Sequence, residues 1–357
     1  GNASVVNATA LDLAASSVGG NLVATATTGN VIDSGTVTVG GTSTVTTSNA
    51  NDDIDLGTLA STGAVSLNTN GATGNATIVH ATALDLGAST VGGNLLVTAN
   101  AGDITDSGEV NVGGNATFTA ATGTNVILDT AANTFSGTVN FLGSGGNLNN
   151  VTIVDDSSLD LQGLTIDGNL VASGAGLTQS GRAAVVVASG TTTVTSTGAG
   201  NDITLTTAGN NFGTSLLVTT DAAAGSDASL VDGTSVSLGA SSVGGNLAVT
   251  ATTGNLEDTG TITVGGTTNL TTSAANATID VGTITSTGAV SLNTNGATGN
   301  ATIVHPTALI LGTSSVGGNL AATATTGNKN HLECEWCYYV CRSLFRFRDG
   351  QQLITNL

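Results

Sequence analysis

The chain repeats a phrase, first met as Val18-Gly19-Gly20-Asn21-Leu22. It returns at 91–95 (VGGNL), 166–170 (IDGNL), 243–247 and 316–320 (both VGGNL), at nearly even intervals. Text between copies is kept as well: residues 74–86 (GNATIVHATALDL) reappear at 299–311 as GNATIVHPTALIL. Self-similarity at a fixed period marks a solenoid or array, so the first question is what one repeat builds.

Each period contains smaller units. A glycine precedes each alternating stretch, at Gly20, Gly41, Gly63 and Gly93, in steps of 21, 22 and 30, and similar steps recur through Gly318. After these glycines the second and fourth residues tend to be apolar and the odd ones polar, as at Leu22 and Ala24, Leu95 and Val97, and Val290 and Leu292. Period two is a strand with one buried face. Further strand signals follow at residues 35–39 (GTVTV), 260–264 (GTITV), 77–79 and 302–304 (both TIV).

Two or three short strands per unit, punctuated by Gly and Asn, describe one coil of a parallel β-helix. Such a unit cannot bury its own apolar face and must stack on its neighbours. The expectation is all-β, about 13 coils of 21–23 and 30–32 residues, a rod of roughly 60 Å at the usual strand spacing. Gly, Thr and Val at this density disfavour helix. The extra text of the long units, near 68–75, 142–150, 221–227 and 293–300, reads as loops leaving one edge at every third coil.

Composition agrees. Of 357 residues 51 are Gly, 3% are aromatic and 8% charged, against roughly 25% charged in ordinary domains. Apolar residues are too plentiful for a disordered chain. The net charge is −19, and Arg182 is the single cation of residues 1–328. Nucleic acid and anionic membrane are poor partners for such a body, since both select clustered Lys and Arg. No apolar run approaches a membrane span, so insertion of this segment is not expected. The chain contains no Met, and residues 1–13 align with 74–86, which reads as an internal fragment of a longer protein.

Candidate chemistry is sparse. His80 and His305 share a repeat position with Asn7, Asp155 and Asp232, which reads as an exposed turn accepting any polar group. Asp12, Asp85 and Asp160 share another, but Ser237 and Ile310 replace them, so no carboxylate is required there. Asp52, Asp53 and Asp55, and the pair Asp155 and Asp156, offer oxygen ligands for Ca²⁺ but lack the regular glycine-aspartate repeat, and read as solvated turns. Arg182 stands beside the strand-like Val185, Val186 and Val187 with no carboxylate constellation. The expected sites are therefore none: no catalytic, cofactor-binding or metal-binding residues, and no enzyme. The phrase's Asn reads as structural, bonding a neighbouring turn. Rows such as Thr42, Thr44, Thr46 and Thr191, Thr193, Thr195 place hydroxyls outward. An ice-binding face needs such rows on rungs of constant length, which the alternating steps deny. Sequons at Asn75, Asn115 and Asn300 read as chance products of composition.

The repeat breaks off after Asn328. Residues 329–357 hold the only Trp, both Tyr and all three Cys. His331, Cys334, Cys337 and Cys341 fit no defensible zinc spacing, and this tail reads as disordered or artefactual.

The phrasing SSVGGNL, ATTGN, DSGTVTVGG and STGAVSL, set on short coils, resembles the filamentous-haemagglutinin-like and autotransporter-type repeat adhesins of bacteria. The resemblance covers residues 1–328. It implies a right-handed parallel β-helix, export through an outer-membrane secretion pore (autotransporter or two-partner), an extracellular or cell-surface location, and a non-enzymatic adhesive role toward a host-cell, surface or polysaccharide ligand. The alternatives are a carbohydrate-active, polysaccharide-binding or lyase-like β-helix and an ice-binding solenoid.

Overall fold

The computed structural model describes residues 1–130, 132–223 and 225–326. The chain divides into two compact units, one spanning Gly1–Ala175 and one beginning at Gly176. Each is a parallel β-solenoid, and the described residues wind through about 15 turns with no helix. The tail and its His331, Cys334, Cys337 and Cys341 lie outside the described residues.

A coil alternates one long strand on one side with a pair of short strands on the other. In the first unit the long strands Ala3–Asn7, Leu22–Ala26, Ser43–Ala50 and Val65–Asn70 stack in parallel. The short strands Leu11–Asp12 and Val31–Ile32 stack on the opposite side, as do Ser16–Val18 and Val37–Val39; Ile54–Ser61 continues both columns.

Then the sides exchange roles. Val65–Asn70 is followed not by a short pair but by another long strand, Ala76–His80, which stacks on Ile54–Ser61. Leu95–Ala99, Ala116–Ala121 and Thr138–Ser144 continue that column. The next short strands, Leu84–Leu86 and Ser89–Val91, stack on Val65–Asn70. A second exchange puts Val151–Val154 on Val126–Leu128. The second unit does the same: Ala228–Asp232 follows Ser215–Thr219 and stacks on Ile203–Leu205, and Ala301–His305 follows Val290–Asn295 and stacks on Ile279–Val281.

One sequence repeat is therefore seven half-turns, four long and three short, or three and a half coils. This corrects the expected 13 coils. The longest steps between glycines are not coils with loops; each is a coil and a half. Register shows the true step: Ala76 pairs with Leu95, Leu95 with Ala116, and Leu177 with Ile203, all closer in sequence than those long steps. Nor do the extra segments leave one edge. Residues 71–75 carry the chain from the first long-strand column to the other side and residues 145–150 carry it back, so the two lie at opposite edges of the first unit.

Alternation builds the core. The buried pattern of Leu95–Ala99 places Leu95, Val97 and Ala99 inside. Stacked inward positions form columns, such as Val97, Phe118 and Phe141. Phe118 stacks on Phe141 with ring centres 5.7 Å apart and meets Phe135 edge-on at 5.9 Å. A parallel solenoid places identical positions directly over one another, so an aromatic in one coil finds its partner in the next.

Candidate functional site

The asparagine of the repeated phrase sits just before a long strand, where the chain turns the corner. Its backbone N–H donates to the Oδ1 of the equivalent residue one coil back. Asn21 donates to Asn2 at 3.0 Å, Asn94 to Asn75 at 2.8 Å, Asn169 to Asn150 at 2.7 Å, Asn246 to Asp227 at 2.7 Å and Asn319 to Asn300 at 2.7 Å. The side chain passes the bond on: Asn94 Oδ1 accepts from Asn115, and Asn115 Oδ1 from Thr138. At a corner the backbone N–H has no strand partner, so a short side-chain acceptor from the coil below satisfies it.

Two of the candidate calcium acids, Asp52 and Asp53, are spent in the same way. Asp53 Oδ1 accepts the Asn75 N–H at 2.7 Å and Asp52 accepts from Gly29. Asp12 accepts from Ser34 at 2.9 Å and Asp85 from the Ser107 hydroxyl at 2.8 Å. Among the described residues no three His, Cys, Asp or Glu side chains converge as a metal site. The sequon residues Asn75, Asn115 and Asn300 are ladder members.

His80 and His305 are not in an exposed turn, and here the expectation fails. Each is 1% exposed. His80 Nε2 accepts the Ser61 N–H of the coil below at 2.8 Å, and Nδ1 faces the Thr82 carbonyl at 3.2 Å. His305 repeats this with Ser286 at 2.9 Å. Asp232, in the same position, accepts from Phe212 N–H at 2.8 Å through one oxygen and from Thr234 N–H at 2.7 Å through the other. Asp155 accepts from Phe135, Ser157 N–H and the Ser157 hydroxyl, all through Oδ1, and leaves Oδ2 buried without a partner. Burial pushes the Asp155 carboxyl above the ordinary range, against the hydrogen bonds from Ser157 and Phe135. The position is a latch, closing its own turn and pinning it to the preceding coil. Where a coil lies below, as at His80, Asp155, Asp232 and His305, the position supplies a hydrogen-bond acceptor, whereas Asn7 in the first coil donates to the Ala10 carbonyl at 2.7 Å. With both ring nitrogens engaged by the backbone, neither His is presented to a substrate.

Arg182 lies in an exposed turn, and Val185–Val187 is the strand its neighbours suggested. The acids are not evenly spread. Asp12, Asp55, Asp85, Asp106, Asp160, Glu257, Asp258 and Asp280 fall on short strands. On long strands the one acid is Asp232, and it is buried. Outward positions there hold Ser, Thr, Asn, Val, Leu and Ala. Sequence reasoning missed this sorting, although the spacing of acids relative to the phrase carried it.

An all-β solenoid whose shared polar residues bind coil to coil is a structural repeat protein. Residues 1–68, 73–141, 148–219 and 225–293 each match the family of repeats of unknown function, DUF5649, and the chain belongs to that family. These boundaries coincide with the role exchanges, so the family's unit is the seven-half-turn block. No curated protein and no solved structure matches the chain.

Proposed function

We propose that the chain is a non-enzymatic, adhesive segment of a larger extracellular or cell-surface protein, of the filamentous-haemagglutinin-like kind, carried outward through a secretion pore. One observation carries this reading: the side chains common to the internal copies are consumed in joining coils, at the ladder and the latch. What remains for an external partner is the outward surface. Coating the purified chain on beads and measuring retention on cells and on immobilised glycans tests it. Retention at low micromolar chain supports adhesion; turnover of any polysaccharide without retention overturns it in favour of a carbohydrate-active solenoid.

Ice binding is a second reading, because the long rungs that opposed it are absent: neighbouring coils of similar length stack in register and set Thr98 beside Thr119. Thermal hysteresis decides that reading directly.

A further inference from the structure

Each repeat stacks long strands with at least two outward positions apiece, two of which line up from strand to strand. In the first block these are Ser4 and Val6, Val23 and Thr25, Thr44 and Thr46, Ser66 and Asn68, in parallel register. The next block presents Thr77 and Val79, Leu96 and Thr98, Thr117 and Thr119, Asn140 and Leu142. Both are grids of hydroxyls, amides and aliphatic groups, spaced about 4.8 Å between strands and about 6.6 Å along them. Neither grid contains a charge, in a stretch where residues 1–328 hold 21 acids and one Arg. Val6, Val23, Leu96 and Leu142 are exposed on them, at 70, 42, 43 and 48%. Because the sides exchange roles after Asn70, the two grids face opposite ways on the first unit.

We infer that these uncharged grids are the contact surface for a neutral polysaccharide, engaged from two sides of the first unit. This rests on the adhesive reading and names its ligand class. Charge selects against an anionic glycan: the acids frame the grids and repel it, while a neutral polyhydroxyl chain meets matching donors and acceptors between aliphatic contacts. Size selects against a second copy of the chain. One grid offers roughly 300 Å² from the strand spacing and rise, against about 800 Å² per partner in a stable complex. A polymer overcomes that deficit by touching many grids at once, since linked weak sites multiply.

The test uses the full chain and insoluble unsubstituted β-glucan, measured by co-sedimentation. One variant carries Thr46→Glu, Thr98→Glu, Thr119→Glu, Thr193→Glu and Thr271→Glu, on long strands. A control of equal charge carries Thr38→Glu, Thr90→Glu, Thr165→Glu, Ser242→Glu and Thr263→Glu, on short strands. A third replaces the long-strand set with Lys. Strand content by circular dichroism is checked for all three. The expected result is at least a tenfold loss of adsorption for both long-strand sets and retention by the control. Equal loss in the two Glu sets, or retention by the Lys set alone, overturns the proposal in favour of bulk charge. Retention on cells but not on glucan overturns this ligand and leaves adhesion standing; retention on neither overturns both.

Discussion

At the scale of single residues, the latch position shows how an acceptor reads the backbone. His80, Asp232 and His305 differ in shape and charge, yet each meets an N–H from the coil below. His80→Asp should therefore be tolerated, whereas His80→Leu strands the Ser61 N–H in the core. The expected cost of the Leu variant is about 1–3 kcal/mol in urea unfolding. Asp155 carries the opposite signature. Its carboxyl is raised by burial from an unfolded value of 3.8, so the folded chain holds the proton longer. Stability at this site is fully present below that value and is lost as pH rises through the folded pKa. Asp155→Asn should remove this slope, giving a flatter stability profile from pH 4 upward and a more stable protein at pH 7. A steeper decline in the variant than in the parent sinks this account. The polar character of the position was legible in the internal copies. Its burial was missed although Ala76, Ile78 and His80 continue one inward alternation, because a polar residue at a strand's end reads as the start of a turn.

Among elements, the half-turn is the unit that matters, and the long half-turns were the most legible part of the chain. Leu95 and Val97, or Val290 and Leu292, announce their strands by period two, and the structure places them inside. Most short strands are two or three residues long, too brief to show a period, and the long strand Ala76–His80 reads as one more strand of the preceding coil because no glycine pair opens it, so the exchange of sides was invisible. The exchange has a local signature in close contact. A Cβ on Gly92 would stand 1.8 Å from the Gly71 carbonyl, and one on Gly317 2.0 Å from that of Gly296. Here two corners are pressed together, and only the missing side chain lets them pass. Gly92→Ala should force the junction apart and destabilise the first unit more than Thr90→Ala, an exposed neighbour, does; equal melting temperatures contradict this. Within the core column, Phe118→Ala removes the ring that contacts both Phe135 and Phe141. About 3–5 kcal/mol is expected from the lost contacts and the cavity, read as a shift in the urea midpoint with little change in slope.

For the molecule as a whole, composition and stacking act together. A body whose single cation before Lys329 is Arg182 has little to offer a protease of trypsin's specificity. Cleavage within residues 1–328 should occur once, after Arg182 in its exposed turn, and mass spectrometry of the native digest checks this. Resistance of that bond in the folded chain contradicts its exposure. The class of the molecule and its repeat logic were readable from the phrase itself. The sorting of acids onto short strands was not read, since it becomes meaningful only once long and short half-turns are told apart.

Seven is an odd number. Gain or loss of one block by recombination between closely similar stretches, such as 1–13 and 74–86, would leave every strand correctly paired. Whatever follows in the same stack would nonetheless come to face the other way. Two blocks would restore it. In this family the parity of the repeat count, as well as its size, sets which direction a downstream surface looks, and variants differing by one block are expected to be equally well folded and oppositely aimed.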